Sequence, residues 1–158
     1  MFLMLRGLST YNQYMNNQGT NIYGNETLIS FFKTAEKNQK LAHAYIIEGG
    51  RGSGKHTLAR YLTCLLVCKS MLDRPCFMCE SCRKAIAGIS PDIIEIGLND
   101  NKKSIGVEQI RELRTSVYIK PTEEDVKLYI ISNAENMTEQ AQNVFLRCLK
   151  SRPKMCFL

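Results

Sequence analysis

The sequence contains no apolar run that approaches the roughly 18–20 residues needed to cross a bilayer. Its first eight residues are apolar apart from Arg6, but they are too few for a signal peptide and lack a small-residue cleavage site. Internal repeats are absent as well. These absences argue against a membrane protein or an exported one, and they predict a location in the cytoplasm.

The chain has 158 residues and is 44% apolar, which suffices for one domain with a hydrophobic core. Residues 1–21 are rich in Asn, Gln, Tyr and Gly without a helical or strand period, so we predict a poorly ordered N-terminal tail there. Residues 22–158 would form the core. The net charge of +6 is spread along the chain, which is typical of a solvated surface and only weakly indicates a nucleic-acid partner.

Apolar periodicity predicts helices that alternate with strands. The predicted helices cover residues 26–38, 55–69, 107–117 and 138–149, and the predicted strands cover residues 44–48, 92–96, 127–131 and 155–158. This alternation is typical of an α/β fold with a mainly parallel sheet. Because the chain stops inside an apolar strand, we expect a truncated domain.

A glycine-rich loop follows the first predicted strand and opens a helix, as in the phosphate-binding motif G-x-x-x-x-G-K. Its candidate nucleotide-binding residues are Gly49, Gly50, Arg51, Gly52, Ser53, Gly54, Lys55, His56 and Thr57. Glycines let backbone N–H groups turn toward phosphate oxygens, and the helix N-terminus adds partial positive charge. The nucleotide would be ATP or ADP, and Lys55 would reach the β-phosphate and, in ATP, the γ-phosphate. The alternative is a turn that only connects strand to helix.

The position after the lysine casts doubt on magnesium. A Ser or Thr hydroxyl normally helps to hold Mg²⁺ there, but this chain has His56. Thr57 comes one residue later, which rotates it by about 100° around the helix. Nucleotide binding through the loop therefore stays plausible, whereas Mg²⁺ coordination is doubtful.

Four clustered cysteines predict a metal site. Cys76, Cys79 and Cys82 are each three residues apart, and Cys68 lies eight residues upstream. Four thiolates complete a closed tetrahedral shell around structural Zn²⁺, with no open position for catalysis. We expect the ion to fold a small insertion over residues 68–83. Cys64 is an alternative fourth ligand, and an iron–sulfur cluster or an empty site are the alternatives to zinc.

The strand predicted at residues 127–131 lacks the acidic ending of an active P-loop ATPase. Such strands end in Asp, often followed by Glu, whereas Ser132 and Asn133 stand here. Three residues separate Glu135 from the strand end, and it reads as a solvated side chain. Without groups that hold Mg²⁺ and polarise water, phosphoryl transfer loses its main sources of catalysis. We therefore assign no catalytic residue.

Several segments together resemble bacterial DNA polymerase III clamp-loader subunits of the AAA+ class. Besides the loop and the cysteines, they are Leu-Ala-His-Ala-Tyr at 41–45, Pro-Asp-Ile-Ile-Glu-Ile at 91–96, residues 106–113 and the Asn-Val-Phe-Leu-Arg-Cys-Leu stretch at 143–149. The resemblance covers about residues 22–158. It implies a P-loop NTPase core with three αβα layers, interrupted by the zinc module.

Within that family, the missing acidic pair favours the delta prime stator over the gamma/tau motor. The resemblance then implies a subunit of the DNA polymerase III holoenzyme, the DNA-directed DNA polymerase, without ATPase activity of its own. Its partners would be the gamma/tau and delta subunits, and through them the sliding clamp and primed DNA during replication. An active gamma/tau motor and a plain zinc interaction module with a vestigial loop are the alternatives. The family's lid, arginine finger and collar would lie beyond residue 158.

Overall fold

The computed structural model describes residues 24–98, 102–150 and 155–157, the last three through their backbone. The chain divides into two compact units, with the boundary between Ser90 and Pro91. The predicted tail, residues 1–21, lies outside the described residues. No helix in the described part of the chain is long and apolar enough to cross a membrane.

The first unit is helical. Its helices are α1 (Glu26–Lys37), α2 (Lys55–Val67) and α3 (Glu80–Ala87), and α2 packs against both α1 and α3. The apolar face predicted for α1 is real, since Leu28 and Phe32, one turn apart, are buried. The central helix α2 is buried on most sides, which makes it the core of this unit.

The strand predicted at residues 44–48 is wrong. Ala44 forms a single β-bridge, and the residues from there to Gly50 adopt no regular structure. A central parallel strand is covered on both faces, but the Ile46 side chain is 60% exposed. The phosphate loop is therefore entered from an irregular segment.

The second unit contains a three-stranded parallel sheet. Its strands β1 (Ile93–Ile96), β2 (Lys127–Ile131) and β3 (Met155–Phe157) lie in the order β1-β2-β3, which confirms the predicted α/β class and strand direction. Ile93 pairs with Leu128, and Lys127 pairs with Met155. The middle strand is the most buried, because both of its edges and its apolar side chains are covered.

Two helices pack against each other in this unit, α4 (Val107–Val117) and α5 (Glu139–Lys150). The buried side chains of α4 are those at helical spacing, namely Ile110, Leu113 and Val117. Those of α5 are Ala141 and Cys148, while the apolar side chains of Val144, Phe145 and Leu149 are only half-buried. A one-turn 3₁₀-helix, Ala134–Asn136, joins β2 to α5.

A buried carboxylate organises the turn that precedes β2. Asp92 is fully buried, and its oxygens accept hydrogen bonds from the backbone N–H groups of Thr122, Glu123 and Glu124 at 2.7–3.0 Å. Burial raises the pKa of Asp92, but these three donors outweigh burial, so its pKa lies below the ordinary value. The carboxylate thereby fixes residues 122–124 relative to β1.

Candidate metal centre and phosphate loop

The four predicted metal ligands come together in the first unit. The Sγ atoms of Cys68, Cys76, Cys79 and Cys82 all lie within 4.8 Å of one another. Cys68 directly follows α2, and Cys82 lies in the first turn of α3. A tetrahedral Zn²⁺ with bonds of about 2.3 Å separates its sulfur ligands by about 3.8 Å. The arrangement can therefore hold a metal ion such as zinc.

Backbone N–H groups point at three of these sulfurs. The N–H of Cys76 donates to the Cys68 sulfur at 3.3 Å, that of Cys79 to Cys76 at 3.4 Å, and that of Cys82 to Cys79 at 3.5 Å. The N–H of Ser70 adds a second donor to Cys68. Donors aimed at sulfur favour the thiolate, which is the form that binds metals.

The pKa values of the ligands are spread by burial and by these hydrogen bonds. The N–H groups of Cys79 and Met78 lower the pKa of Cys76 to about 6. Burial raises the pKa of Cys68 to about 12. A hydrogen bond with Cys64, together with burial, raises the pKa of Cys82 above its ordinary value. Four sulfurs this close cannot all be anionic without a cation, which is the chemistry of a metal-binding thiolate set.

Contacts with α1 and α2 hold the cysteine segment in place. The Arg74 guanidinium pairs with Glu36 at 2.7 Å, and Lys33 pairs with Asp73 at 3.3 Å. The ring of Phe77 packs at 5.9 Å from the ring of Tyr61, measured between centroids. The segment is therefore anchored by side chains as well as by the cysteines.

The alternative ligand Cys64 lies outside the four-sulfur set, yet it contacts that set. It is fully buried in α2. Its sulfur lies 4.0 Å from the Cys82 carbonyl oxygen, and the Cys82 sulfur lies 3.7 Å from the Cys64 carbonyl oxygen. Helix α3, which contains Cys82 and has Cys79 as its N-cap, was missed in the sequence. Its signals were present, since Glu80 stands in the first turn and Gly88 (φ 67°) ends the helix in the left-handed region.

The phosphate loop has the backbone shape that its glycines allow. Gly52 and Gly54 have φ values of 79° and 80°, in the region that side chains disfavour. A Cβ on Gly49 would come within 2.7 Å of the Ser53 Oγ atom. Lys55, the first residue of α2, donates to the carbonyl oxygens of Gly49 and Gly50, both at 2.8 Å. The ammonium is thus folded over the loop, where a phosphate-binding loop needs its positive charge.

The remaining residues of the predicted nucleotide site lie along the same loop and helix. Arg51 and His56 are exposed, and Thr57 is half-buried at the third position of α2. The described loop residues are compatible with a phosphate group, because the helix N-terminus, the two glycine turns and Lys55 are all present.

The end of β2 lies in the second unit and carries no carboxylate at its next two positions. The Ser132 N–H continues the parallel ladder to the Ile96 oxygen at 2.8 Å, and its hydroxyl donates to Glu95 at 3.2 Å. Asn133 is exposed in the left-handed region (φ 56°), and Glu135 is exposed in the 3₁₀-helix. The contact with Glu95 was not foreseen, since it joins two strands 37 residues apart.

Comparisons with known proteins agree on one family. Residues 24–157 match the sequence profile of the family described as "DNA polymerase III, delta subunit". DNA polymerase III subunit tau of Bacillus subtilis is 31% identical over 136 residues, which cover 85% of this chain and 24% of that protein. DNA polymerase III subunit tau/gamma of Haemophilus influenzae is 32% identical over 134 residues, covering 84% and 19%.

A solved structure shares the fold. A DNA polymerase III gamma subunit-related protein of Thermotoga maritima matches with a TM-score of 0.50 at 20% identity, over 80% of this chain and 37% of that one. The chain thus spans between about a fifth and somewhat more than a third of the length of these relatives. The matches confirm the resemblance that the sequence motifs indicated.

Proposed function

This chain belongs to the DNA polymerase III delta subunit family, and on that premise we propose that it is the front part of a delta prime clamp-loader subunit. In this proposal the whole protein is a stator that helps to load the sliding clamp onto primed DNA during replication. It does not hydrolyse ATP itself. Its partners are the gamma/tau and delta subunits, and it acts in the cytoplasm.

The observation that carries the proposal is the chemistry at the end of β2. Active P-loop ATPases place carboxylates there to support Mg²⁺ and to orient the attacking water. Ser132 and Asn133 stand in these positions, and neither can carry a negative charge. The Ser132 hydroxyl is hydrogen-bonded to Glu95, and the Asn133 backbone is left-handed.

The phosphate loop supports binding without turnover. The phosphates of ATP or ADP would bind as a polyanion at the start of α2. The residues that would hold them are Gly49, Gly50, Gly52, Gly54 and Lys55. Binding through backbone donors and an ammonium does not require a metal-ligating hydroxyl. His56 in place of that hydroxyl weakens Mg²⁺ coordination, on which hydrolysis depends.

The metal site supports a structural role for residues 68–83. Zn²⁺ held by four sulfurs has no open coordination position, so the ion would supply cross-linking of the segment rather than catalysis. Cys68 and Cys76 would bind from the connecting loop, and Cys79 and Cys82 from the start of α3. This segment contains few buried apolar residues, which is why a metal would contribute to its folding.

An active gamma/tau motor is the second candidate. The relatives named above carry gamma or tau names, and the loop of this chain retains its glycines and Lys55. The two candidates differ in one measurable property, which is ATP turnover by the subunit alone.

The deciding experiment measures steady-state ATP hydrolysis by the unmodified full-length protein, purified free of motor subunits. We expect a rate near background, because loss of one charge-stabilising group already lowers catalysis about 10²–10³-fold. A fluorescent ATP analogue should still bind, and Lys55→Ala should weaken that binding. Lys55→Ala also identifies contaminating activity, since turnover by another enzyme would survive the change.

Steady turnover that disappears in Lys55→Ala would contradict the stator proposal and establish the motor. If the unmodified protein bound no nucleotide, the result would instead favour the third alternative, a zinc interaction module whose vestigial loop only connects the preceding segment to α2.

A further inference from the structure

Three large apolar side chains of the cysteine segment, residues 68–83, are exposed to solvent. Met71 is 99% exposed, Leu72 is 100% exposed and Met78 is 82% exposed. Within the described part of the chain, no other large apolar side chain is as exposed as these. All three lie on the short connections between cysteines whose sulfurs converge. We call these three side chains the apolar tip.

Hydrogen bonds and ion pairs hold the backbone beside the tip. The Leu72 N–H donates to the Ser70 hydroxyl at 3.4 Å, and the Arg74 Nε donates to the Ser70 carbonyl oxygen at 2.9 Å. Arg74 and Asp73 are in turn paired with side chains of α1. The turn that carries Met71 and Leu72 is therefore tied to α1 at its second half and closed on itself, with both apolar side chains outward.

A group of exposed apolar side chains on one short segment indicates binding. Such side chains are common singly on protein surfaces, whereas a group of them marks an interaction site. Methionine suits such a site, because its unbranched and polarisable side chain adapts to the surface it contacts. The fold itself leaves Met71 and Leu72 almost untouched, so their apolar surface is available to a partner.

Cationic groups surround the tip and define the charge of that partner. The two carboxylates of the segment, Asp73 and Glu80, are each paired with a lysine, at 3.3 and 2.9 Å. Lys69 and Arg83 are exposed. A hydrogen bond from Lys84 lowers the pKa of Glu80, and the positive charges of Lys69 and Arg83 lower it further. A complementary surface would therefore be acidic around an apolar centre.

The apolar side chains favour a protein over other anionic partners. Single-stranded nucleic acids stack their bases on aromatic rings, whereas Met71, Leu72 and Met78 offer only aliphatic and thioether groups. Three such side chains have roughly the apolar surface of a single acyl chain, which gives only marginal binding to a membrane. An apolar groove with Asp and Glu on its rim matches both the tip and the charges around it.

We propose that the apolar tip is a docking surface for a partner protein of the clamp-loader assembly, one that has an apolar groove with an acidic rim. The inference rests on the proposed function, which supplies the gamma/tau subunit, the delta subunit and the sliding clamp as the proteins to test. It gives the cysteine segment a role in assembly, beyond the stability of the fold.

The test measures binding of the full-length protein to purified gamma/tau, delta and sliding clamp, one at a time. The double variant Met71→Ser, Leu72→Ser should bind one of them about tenfold or more weakly, because two central apolar contacts are lost. The control Ile89→Ser replaces an exposed apolar side chain outside the segment and should not change the affinity. Thermal unfolding should be the same in all these proteins. If the double variant unfolds at a lower temperature, Leu72→Gln takes its place.

A second pair of variants tests the acidic rim. Arg83→Glu should weaken the same interaction, because it replaces attraction with repulsion, and the effect should become smaller as the salt concentration rises. The control Arg60→Glu changes an exposed arginine of α2 and should have a much smaller effect. Equal effects of the two variants would overturn the acidic rim.

The failures of the two proposals can be told apart. If the unmodified protein binds these proteins and the double variant binds each of them equally well, the inference is overturned and the proposed function stands. If the unmodified protein binds none of them, both are overturned. A single-stranded oligonucleotide and vesicles of anionic phospholipid are the remaining probes. Loss of affinity for either probe, with affinity for the proteins retained, would overturn the choice of a protein partner.

Discussion

Among single residues, Asp92 should make a large contribution to stability that depends on pH. The pKa of its carboxyl group in the folded protein lies below the ordinary value. The contribution to stability is therefore fully present above the pKa of this group in the unfolded chain, and it is lost as the pH falls through the pKa of the folded protein. Asp92→Asn should lower the free energy of unfolding by about 1–3 kcal/mol near neutral pH, because three backbone donors lose the charged acceptor that is buried among them. Urea unfolding of both proteins at neutral and at acidic pH measures this difference.

The control is Asp125→Asn, which removes an exposed carboxylate from the same turn. It should leave stability nearly unchanged, since isolated surface charges contribute little. If the difference in the free energy of unfolding between Asp92→Asn and the unmodified protein became larger at acidic pH, the proposed origin of the effect would be contradicted.

The metal ligands permit a second test on single residues. Protein purified without added metal should contain near-stoichiometric zinc, and Cys79→Ser should lose it because three sulfurs leave the shell incomplete. Cys148→Ser should retain it, since that residue is buried in α5 of the second unit. Elemental analysis of the three proteins decides, and equal loss in both variants would remove the assignment.

These residues differ in how far the sequence revealed them. The spacing of Cys76, Cys79 and Cys82 is local, and it predicted a cluster that the structure brings together with Cys68. The partners of Asp92 come 30–32 residues later, and no local pattern encodes such a contact. The contact of Cys64 with Cys82 likewise depends on the packing of α2 against α3.

Among the helices, the start of α5 shows a side-chain cap. The Thr138 hydroxyl accepts the N–H of Ala141 at 3.3 Å, which is the bond that a Thr N-cap makes. Thr138→Ala should lower the free energy of unfolding by about 1 kcal/mol, whereas Thr138→Ser retains the hydroxyl and should lose little. Thermal unfolding followed by circular dichroism compares them, and equal losses would show that the methyl group matters instead.

The start of α1 shows why such predictions also fail. Asn directly before a helix commonly caps it with its side chain, but the Asn25 backbone is left-handed (φ 65°) and its side chain makes no capping bond. Its carbonyl oxygen nevertheless accepts the N–H groups of Leu28 and Ile29. Asn suits both conformations, so residue type alone could not distinguish them.

Short apolar segments were the least predictable elements. Residues 44–48 have the composition of a buried strand, yet they form only one β-bridge. By contrast, residues 127–131 have a similar composition and form the central strand, β2. Whether such a segment becomes a strand depends on neighbouring segments that offer hydrogen bonds, and the sequence of the segment does not contain that information.

For the whole molecule, the α/β class and the family were accessible from sequence because each rests on many positions. The alternation of helices with strands predicted a parallel sheet, which the second unit contains. The family match covers residues 24–157 and so does not depend on any single motif. The choice between stator and motor is different, because it rests on the few residues that would supply catalytic charge.

That choice permits a gain-of-function test at the scale of the whole protein. The triple variant His56→Thr, Ser132→Asp and Asn133→Glu restores the hydroxyl and both carboxylates that phosphoryl transfer uses. We expect it to hydrolyse ATP when the full-length subunit is assembled with its partners, because the resemblance to clamp-loader subunits implies an arginine supplied by a neighbouring subunit. The motor subunits in that assembly should carry an alanine at their own loop lysine, so that their turnover does not mask the signal. Adding Lys55→Ala to the triple variant should abolish the gained activity. The three changes are made together because groups that act as one unit contribute to catalysis in a non-additive way. If the triple variant binds nucleotide but its ATP hydrolysis stays at the background rate, these three positions do not explain the absence of turnover.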